Sequence, residues 1–155
     1  MLNPTNQPAQ LHAGIKALIE LRKTAPSTPL DAFFLYQIGY ALSRAGSPHC
    51  AVHYLDRALN ARPPQQLRAA ILLEKSNLLE EQEDWWRQQK TLSDLIDCTT
   101  HPVQQDVQRM KSAQALLRLG KKQEAKTLLQ TLATHGATLP LRQTAKQQLE
   151  LIAGR

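Results

Sequence analysis

Apolar residues recur at helical spacing along almost the whole chain, and prolines and glycines interrupt this spacing at short intervals. Leu11, Ile15 and Leu18 form the first apolar stripe, which ends before Pro26. Residues three and four apart share one face of a helix, and helices end at glycine or before proline. The alternation typical of strands is nearly absent. The sequence therefore predicts an all-α chain of eight helices, each roughly 12 to 18 residues long.

The predicted helices follow this punctuation. Gly46 ends the second helix, Ser47 and Pro48 begin the third, and Pro63 with Pro64 ends the third. Short connections favour antiparallel neighbours, so we expect helical hairpins. After a first helix at 9–24, the other ranges predicted are 66–82, 84–97, 103–119, 121–135 and 141–152.

Small residues stand where the two helices of a hairpin should meet. Gly39 lies on the second helix, and Ala51 and Ala58 lie on the third. Helix backbones approach to about 8–9 Å only across small side chains, because larger ones hold them apart. Ala113 and Ala125 repeat the placement of Gly39 and Ala51 at a distance of 74 residues along the chain.

This spacing resembles the tetratricopeptide repeat, a helical hairpin that has small residues at its eighth, twentieth and twenty-seventh positions. The resemblance predicts three repeats, at 32–65, 69–102 and 106–139. The first repeat agrees best with the pattern, and the middle one departs from it because Gln88 stands where alanine is expected. The other pattern positions of the first repeat are filled by Leu35, Ile38, Leu42, Gly46, Leu55 and Pro63.

The resemblance implies a right-handed α-solenoid of stacked antiparallel helix hairpins. It implies a single helical domain over 9–153, in which helix 141–152 caps the stack. That helix has one apolar stripe, which runs from Leu141 to Ile152, and a polar opposite face, as a terminal cap requires. Residues 1–8 are predicted to form a disordered N-terminal tail.

In the resembled family the first helix of each hairpin lines a concave groove that holds a peptide or helix of another protein. The resemblance therefore implies a non-catalytic adaptor or small chaperone, by analogy with small bacterial secretion and assembly proteins. Members that clamp a C-terminal carboxylate carry Lys and Asn where this chain has Tyr36 and Tyr40, so a chaperone-tail receptor is not expected. The predicted partner-binding residues are Phe33, Tyr36, Tyr40, Arg44, Leu73, Asn77, Trp86, Met110, Gln114, Leu117 and Arg118.

Tyr36 and Tyr40 carry the most specific of these predictions. Their rings project from one helix face because the residues are four apart. A tyrosine ring offers apolar area together with a hydroxyl that tolerates water, as a binding surface requires. The alternative is that Phe33 and Tyr36 pack against the N-terminal helix.

Trp85 and Trp86 are adjacent, and neighbouring residues on a helix cannot both face the core. The repeat pattern places Trp85 at the turn of a hairpin. Trp86 is then a candidate anchor for a partner, since Trp is enriched at interface hot spots. A second core contact for Trp86 is the alternative.

The sequence lacks the motifs that carry catalysis. None of its six glycines belongs to a phosphate-binding loop, and it has no nucleophile elbow or zinc-protease motif. His49 and His53 share a helix face beside Cys50, but a metal site needs at least a third ligand. We therefore predict no enzymatic activity, no catalytic residue, no metal site and no cofactor.

The net charge of +6 is concentrated in residues 109–155, which hold nine Lys or Arg and two acidic residues. Such a basic end suits an acidic partner or weak nucleic-acid binding, although the stretch has no aromatic residue to stack on bases. A structural unit that forms homo-oligomers is a further alternative. No apolar run approaches the roughly 18 residues that cross a bilayer. We expect no membrane insertion, a cytoplasmic location with a mature periplasmic domain as the alternative, and free thiols at Cys50 and Cys98.

Overall fold

The computed structural model describes residues 7–24 and 30–154, and the regular elements in this part are all α-helices. The all-α prediction is confirmed, and the helices lie within two residues of the predicted ranges. The first helix begins at Gln7, and residues 1–6 of the predicted tail lie outside the described residues. The helices are α1 (Gln7–Thr24), α2 (Asp31–Arg44), α3 (Pro48–Asn60), α4 (Gln65–Glu81), α5 (Trp85–Cys98), α6 (Pro102–Arg118), α7 (Lys122–His135) and α8 (Leu139–Ala153).

The helices form two compact units, and the division falls within α4, between Leu78 and Leu79. Unit 1 holds α1, α2, α3 and most of α4. Unit 2 holds the end of α4 together with α5, α6, α7 and α8. The single domain over 9–153 stays a prediction.

Local sequence explains where several helices begin. Pro48 and Pro102 occupy the first turns of α3 and α6, where the missing N–H costs no hydrogen bond. The Asp84 side chain caps α5 by accepting a hydrogen bond of 3.1 Å from the backbone N–H of Arg87. Thr138 caps α8 in the same way. Each cap satisfies a backbone donor that the helix itself leaves without a partner.

In unit 1, α2 packs closely on α3 at small residues. A Cβ atom at Gly39 would lie 2.9 Å from Cδ2 of Leu55 and 3.2 Å from the carbonyl oxygen of Ala51. Ala51, Leu55 and Ala58 are fully buried. The predicted close approach of these two helices is therefore present, and Gly39 is the residue that leaves room for it.

Polar contacts join α4 to α2 and α3 in unit 1. The Ser43 hydroxyl on α2 donates a hydrogen bond of 2.8 Å to Oε1 of Glu74. Nζ of Lys75 lies 2.5 Å from Oδ1 of Asp56, which belongs to α3. These contacts position the middle of α4 beside both α2 and α3.

The core of unit 2 joins α6, α7 and α8. Small residues lie at the helix contacts here too, since Ala113, Ala133 and Ala145 pack among the larger side chains Leu129 and Leu132. α6 packs on α7, α7 packs on α8, and α6 also contacts α8 directly. Three helices thereby share one core, and the position of α8 over α6 is fixed.

A buried carboxylate secures the connection before α8. Asp106, at the start of α6, is buried, and its Oδ2 accepts a hydrogen bond of 2.7 Å from the backbone N–H of Ala137. Its Oδ1 accepts a bond of 2.8 Å from Arg109. Charge-assisted bonds of this kind are about twice as strong as neutral ones. Asp106 therefore anchors the α7–α8 connection to α6.

Three hairpin turns have the same backbone conformation at intervals of 37 residues. Gly46, Glu83 and Gly120 each end the first helix of a pair, with φ of 74°, 55° and 75°. Left-handed φ is favourable for glycine and strained for other residues. The middle hairpin therefore keeps the turn without its glycine. The same backbone bond closes each turn, from Ser47 N–H to the Leu42 oxygen, Asp84 N–H to the Leu79 oxygen, and Lys121 N–H to the Leu116 oxygen.

We expect opposite effects from substitutions at these equivalent turns. Gly46→Ala and Gly120→Ala should each lower the free energy of unfolding by about 1–2 kcal/mol, because alanine is strained at positive φ. A Cβ atom would meet nothing within 4 Å at either position, so crowding contributes nothing. Glu83→Gly should raise the free energy of unfolding or leave it unchanged. Chemical denaturation measures all three values.

Gly14→Ala is the control for these turns, because Gly14 lies inside α1 and a Cβ atom there also meets nothing within 4 Å. This substitution should stabilise the protein by about 0.5–1 kcal/mol. Equal effects at Gly14 and Gly120 would show that left-handed strain is not the cause.

Enlarging Ala51 should disturb the α2–α3 contact. We expect Ala51→Leu to lower the free energy of unfolding by about 1–3 kcal/mol, because the added methyl groups overpack a fully buried position. Cys50→Leu is the matched control, since Cys50 is the exposed neighbour on the same helix. Equal melting temperatures for the two variants would contradict the role of Ala51 in helix packing.

Candidate functional site

The residues predicted to bind a partner fall into two groups, one in each unit. Unit 1 contains Phe33, Tyr36, Tyr40, Arg44, Leu73 and Asn77, and unit 2 contains Trp86, Met110, Gln114, Leu117 and Arg118.

In unit 1 three aromatic side chains lie along α2, and we call them the α2 aromatic face: Phe33, Tyr36 and Tyr40. Phe33 and Tyr40 are exposed, and Tyr36 is half-buried. The rings of Tyr36 and Tyr40 have centroids 6.2 Å apart, so the predicted neighbours do meet. The alternative that Phe33 and Tyr36 pack against the N-terminal helix stays a prediction.

Tyr36 has the most perturbed environment of this face. Burial raises the pKa of its phenol above the ordinary value of 10.0, and the nearby charge of the Glu74 carboxylate raises it further. The hydroxyl is therefore held neutral at any physiological pH. Of the other predicted residues of unit 1, Arg44 and Leu73 are exposed, and Asn77 is half-buried.

Unit 2 contains a groove of about 540 Å³, which we call the unit 2 groove. Gln114, Leu117 and Arg118, which the sequence predicted, all line it. Side chains from the end of α4 and from α5, α6, α7 and α8 contribute. The full lining is Glu80, Trp85, Gln88, Lys111, Gln114, Ala115, Leu117, Arg118, Lys122, Gln148, Leu151 and Ile152.

The prediction for Met110 is wrong. Its side chain is only 7% exposed and lies in the core cluster of unit 2 with Ala113 and Leu129. Met110 therefore faces the helices that pack on α6, and it cannot reach a partner. Trp86 is 66% exposed, which confirms that it stays outside the core, but it does not line the groove.

Basic side chains surround the unit 2 groove. The Arg118 guanidinium lies over the Trp85 ring, 5.6 Å from its centroid, a cation–π contact that orients the arginine. Lys111 forms an ion pair of 3.1 Å with Glu80. Lys122 is the first residue of α7 and is exposed. The lining thus carries three basic residues and one acidic residue.

Two buried amide oxygens also line the groove. Gln88 is only 2% exposed, yet its Oε1 has no hydrogen-bond partner within the described part of the chain. The Oε1 atom of Gln148, on α8, is likewise buried and without a partner among those residues. A buried acceptor without a donor is costly, about 1–3 kcal/mol, and such atoms are rare in native proteins. Both oxygens are enclosed by protein atoms, so a ligand in the groove reaches them only when neighbouring side chains move aside.

Sequence reasoning missed the contribution of α8. It treated this helix as a cap with a single apolar stripe, whereas Gln148 and Leu151 lie in the groove beside Ile152 of that stripe. Leu151 is 67% exposed, the highest exposure among the large apolar side chains described. The position of Leu151 outside the apolar stripe of α8 was the sequence signal that could have predicted its place in the groove. Gln88 gave a signal too, since it departed from the alanine that the repeat pattern expects.

Among residues 7–24 and 30–154, no three His, Cys, Asp or Glu side chains are grouped as metal ligands. Within these residues His49 and His53 therefore belong to no such group. Neither Cys50 nor Cys98 forms a disulfide with another described residue. No helix within the same residues has an apolar stretch able to span a bilayer.

Comparisons with protein-family models, curated proteins and solved structures find no match to this chain.

The raised pKa of Tyr36 leads to a prediction about alkaline pH. We expect Glu74→Gln to lower the pKa of Tyr36 while leaving it above 10.0, because burial is the larger cause and the carboxylate the smaller one. Because the folded-state pKa is raised, the stabilisation from neutral Tyr36 is complete below about pH 10 and is lost as pH rises through that pKa.

Absorbance titration of the tyrosines measures this pKa, and Tyr36→Phe identifies the component that belongs to Tyr36. The Tyr36→Phe variant should also lose less stability than the parent protein between neutral and strongly alkaline pH. An unchanged titration in Glu74→Gln would show that the carboxylate does not act on Tyr36.

Proposed function

We propose that this chain is a non-catalytic protein-interaction module that binds a peptide or helix of a partner protein in the unit 2 groove. The observation that carries the proposal is the lining of this groove. It combines the exposed Leu151 and half-buried apolar side chains with buried amide oxygens that have no partner among the described residues. Sites that bind peptides need both apolar contact and a few placed polar groups.

The proposed architecture is a tetratricopeptide-like α-solenoid, in which successive hairpins stack with a right-handed twist. The recurrence of one turn conformation at Gly46, Glu83 and Gly120 supports it, since equivalent turns are a property of repeats. The contact between α6 and α8 also supports it, because the first helices of successive hairpins are neighbours in such stacks.

The chemistry of the lining favours a polypeptide ligand. Leu117, Leu151 and Ile152 supply apolar surface for a side chain of the partner. The Oε1 atoms of Gln88 and Gln148 can accept hydrogen bonds from backbone N–H groups once the side chains that enclose them move aside. A peptide carries both kinds of group at every residue, so it can satisfy the apolar and the polar parts of the groove together.

Selection from a displayed library of random peptides tests the proposal. We expect the full chain to enrich a family of related peptides, and Leu151→Glu to weaken their binding by about tenfold or more, because it removes an exposed apolar contact and adds a charge. Because Leu151 is exposed, the melting temperature should stay nearly constant. Fluorescence anisotropy with a labelled selected peptide measures the affinity.

Leu139→Glu is the matched control, since Leu139 lies on the same helix, is 59% exposed and does not line the groove. It should leave affinity unchanged. Failure to enrich any peptide family would contradict the proposed function. Loss of binding in a Tyr36→Ala and Tyr40→Ala double variant, with no effect from Leu151→Glu, would move the site to the α2 aromatic face.

A further inference from the structure

The charge of the unit 2 groove indicates what kind of peptide it takes. We propose that its occupant is an acidic segment of a partner protein that presents an apolar side chain between carboxylates. This inference rests on the proposed function and specifies its ligand. Three observations carry it: the basic residues of the lining, the unpaired amide oxygens and the apolar wall.

Two of the three cations in the lining have no carboxylate partner. Lys111 is paired with Glu80, but neither Arg118 nor Lys122 forms an ion pair with any residue that the structure describes. Both are exposed, so water compensates them in the free protein. A groove with this surplus of positive charge attracts an acidic ligand and repels a basic one.

Arg118 is the better oriented of these two cations. Its guanidinium rests over the Trp85 ring, which limits the conformations of an otherwise flexible side chain. A planar guanidinium binds a carboxylate through two parallel N–H bonds. An arginine that is already positioned loses less entropy on binding. We therefore assign to Arg118 the principal contact with an acidic side chain of the ligand.

Gln88 and Gln148 favour a peptide over a polyphosphate ligand. The unpaired atom of each side chain is an amide oxygen, which needs a donor such as a peptide N–H. Phosphate groups only accept hydrogen bonds and would leave both oxygens without a donor. The exposed apolar surface of Leu151 has the same preference, since it requires an apolar side chain from the ligand. The bases of a nucleic acid also carry N–H donors, so competition with an RNA oligomer distinguishes the two classes of ligand.

The experiment compares the peptides that the full chain selects with those selected by a charge-reversed variant, Arg118→Glu with Lys122→Glu. The parent protein should enrich peptides that contain Asp or Glu on both sides of an apolar residue. The variant should lose this acidic preference and bind the selected acidic peptides about tenfold or more weakly. For the parent, affinity should fall as ionic strength rises from about 0.01 M to about 0.15 M, since the Debye length shortens from about 30 Å to about 8 Å.

The matched control is Lys126→Glu with Lys146→Glu, which makes the same change in net charge at exposed positions outside the groove. It should keep the acidic preference and most of the affinity. If both double variants lose affinity equally, the effect comes from net charge and the assignment to the groove is wrong.

A Gln88→Leu variant separates the role of the amide from that of the charge. It should raise the melting temperature, because it removes a buried acceptor without a partner, and lower the affinity for acidic peptides by about two- to tenfold. If Gln88 had only a structural role, the substitution would change stability and affinity in the same direction or would leave affinity unchanged. Either result would overturn the role given to Gln88.

The remaining outcomes are equally decisive. Enrichment of neutral or basic peptides would overturn the acidic ligand while leaving the proposed function intact. A single-stranded RNA oligomer that displaces the selected peptide and binds more tightly would identify a nucleic acid as the ligand instead. A concentration-dependent dimer that Leu151→Glu dissolves would identify a second copy of this chain.

Discussion

Close approach of neighbouring helices at glycine and alanine is the constraint on which both units depend. In unit 1 a Cβ atom at Gly39 would crowd Leu55 and the backbone of Ala51. In unit 2 the buried Ala113 and Ala145 lie within the common core of α6, α7 and α8. Since larger side chains would separate the helix axes, these positions determine which faces meet. The helix faces that stay uncovered, including those that form the unit 2 groove, are determined by the same packing.

The hairpin turns show how one backbone conformation tolerates sequence change. The middle turn places Glu83 in a conformation that glycine occupies in the other two, and its closing hydrogen bond is the same. The strain of one residue in this conformation, about 1–2 kcal/mol, is small beside the burial of the helices on either side. The packing of unit 2 therefore holds the turn in place, although its local sequence disfavours it.

The unit 2 groove combines features that a stability-optimised surface would lack. It exposes Leu151, buries Gln88 without satisfying its oxygen, and leaves Arg118 without a carboxylate among the described residues. The first two features are unfavourable in the free protein, whereas water compensates Arg118, and the proposed peptide would contact all three side chains. The Asp106 anchor contributes by fixing the connection before α8, so that Leu151 and Gln148 face the groove.

The sequence by itself determined the number, type and limits of the helices, because glycine, proline and apolar periodicity act over a few residues. It also located the close contacts at Gly39 and Ala51, and three residues of the groove lining. Only the tertiary structure decided that Met110 is buried, and that Gln88 and Gln148 line one cavity. A helical pattern states which residues share a face, but not which neighbouring helix covers that face. Since α6 is covered by α5, α7 and α8, the side of α6 that stays open depends on contacts between distant residues.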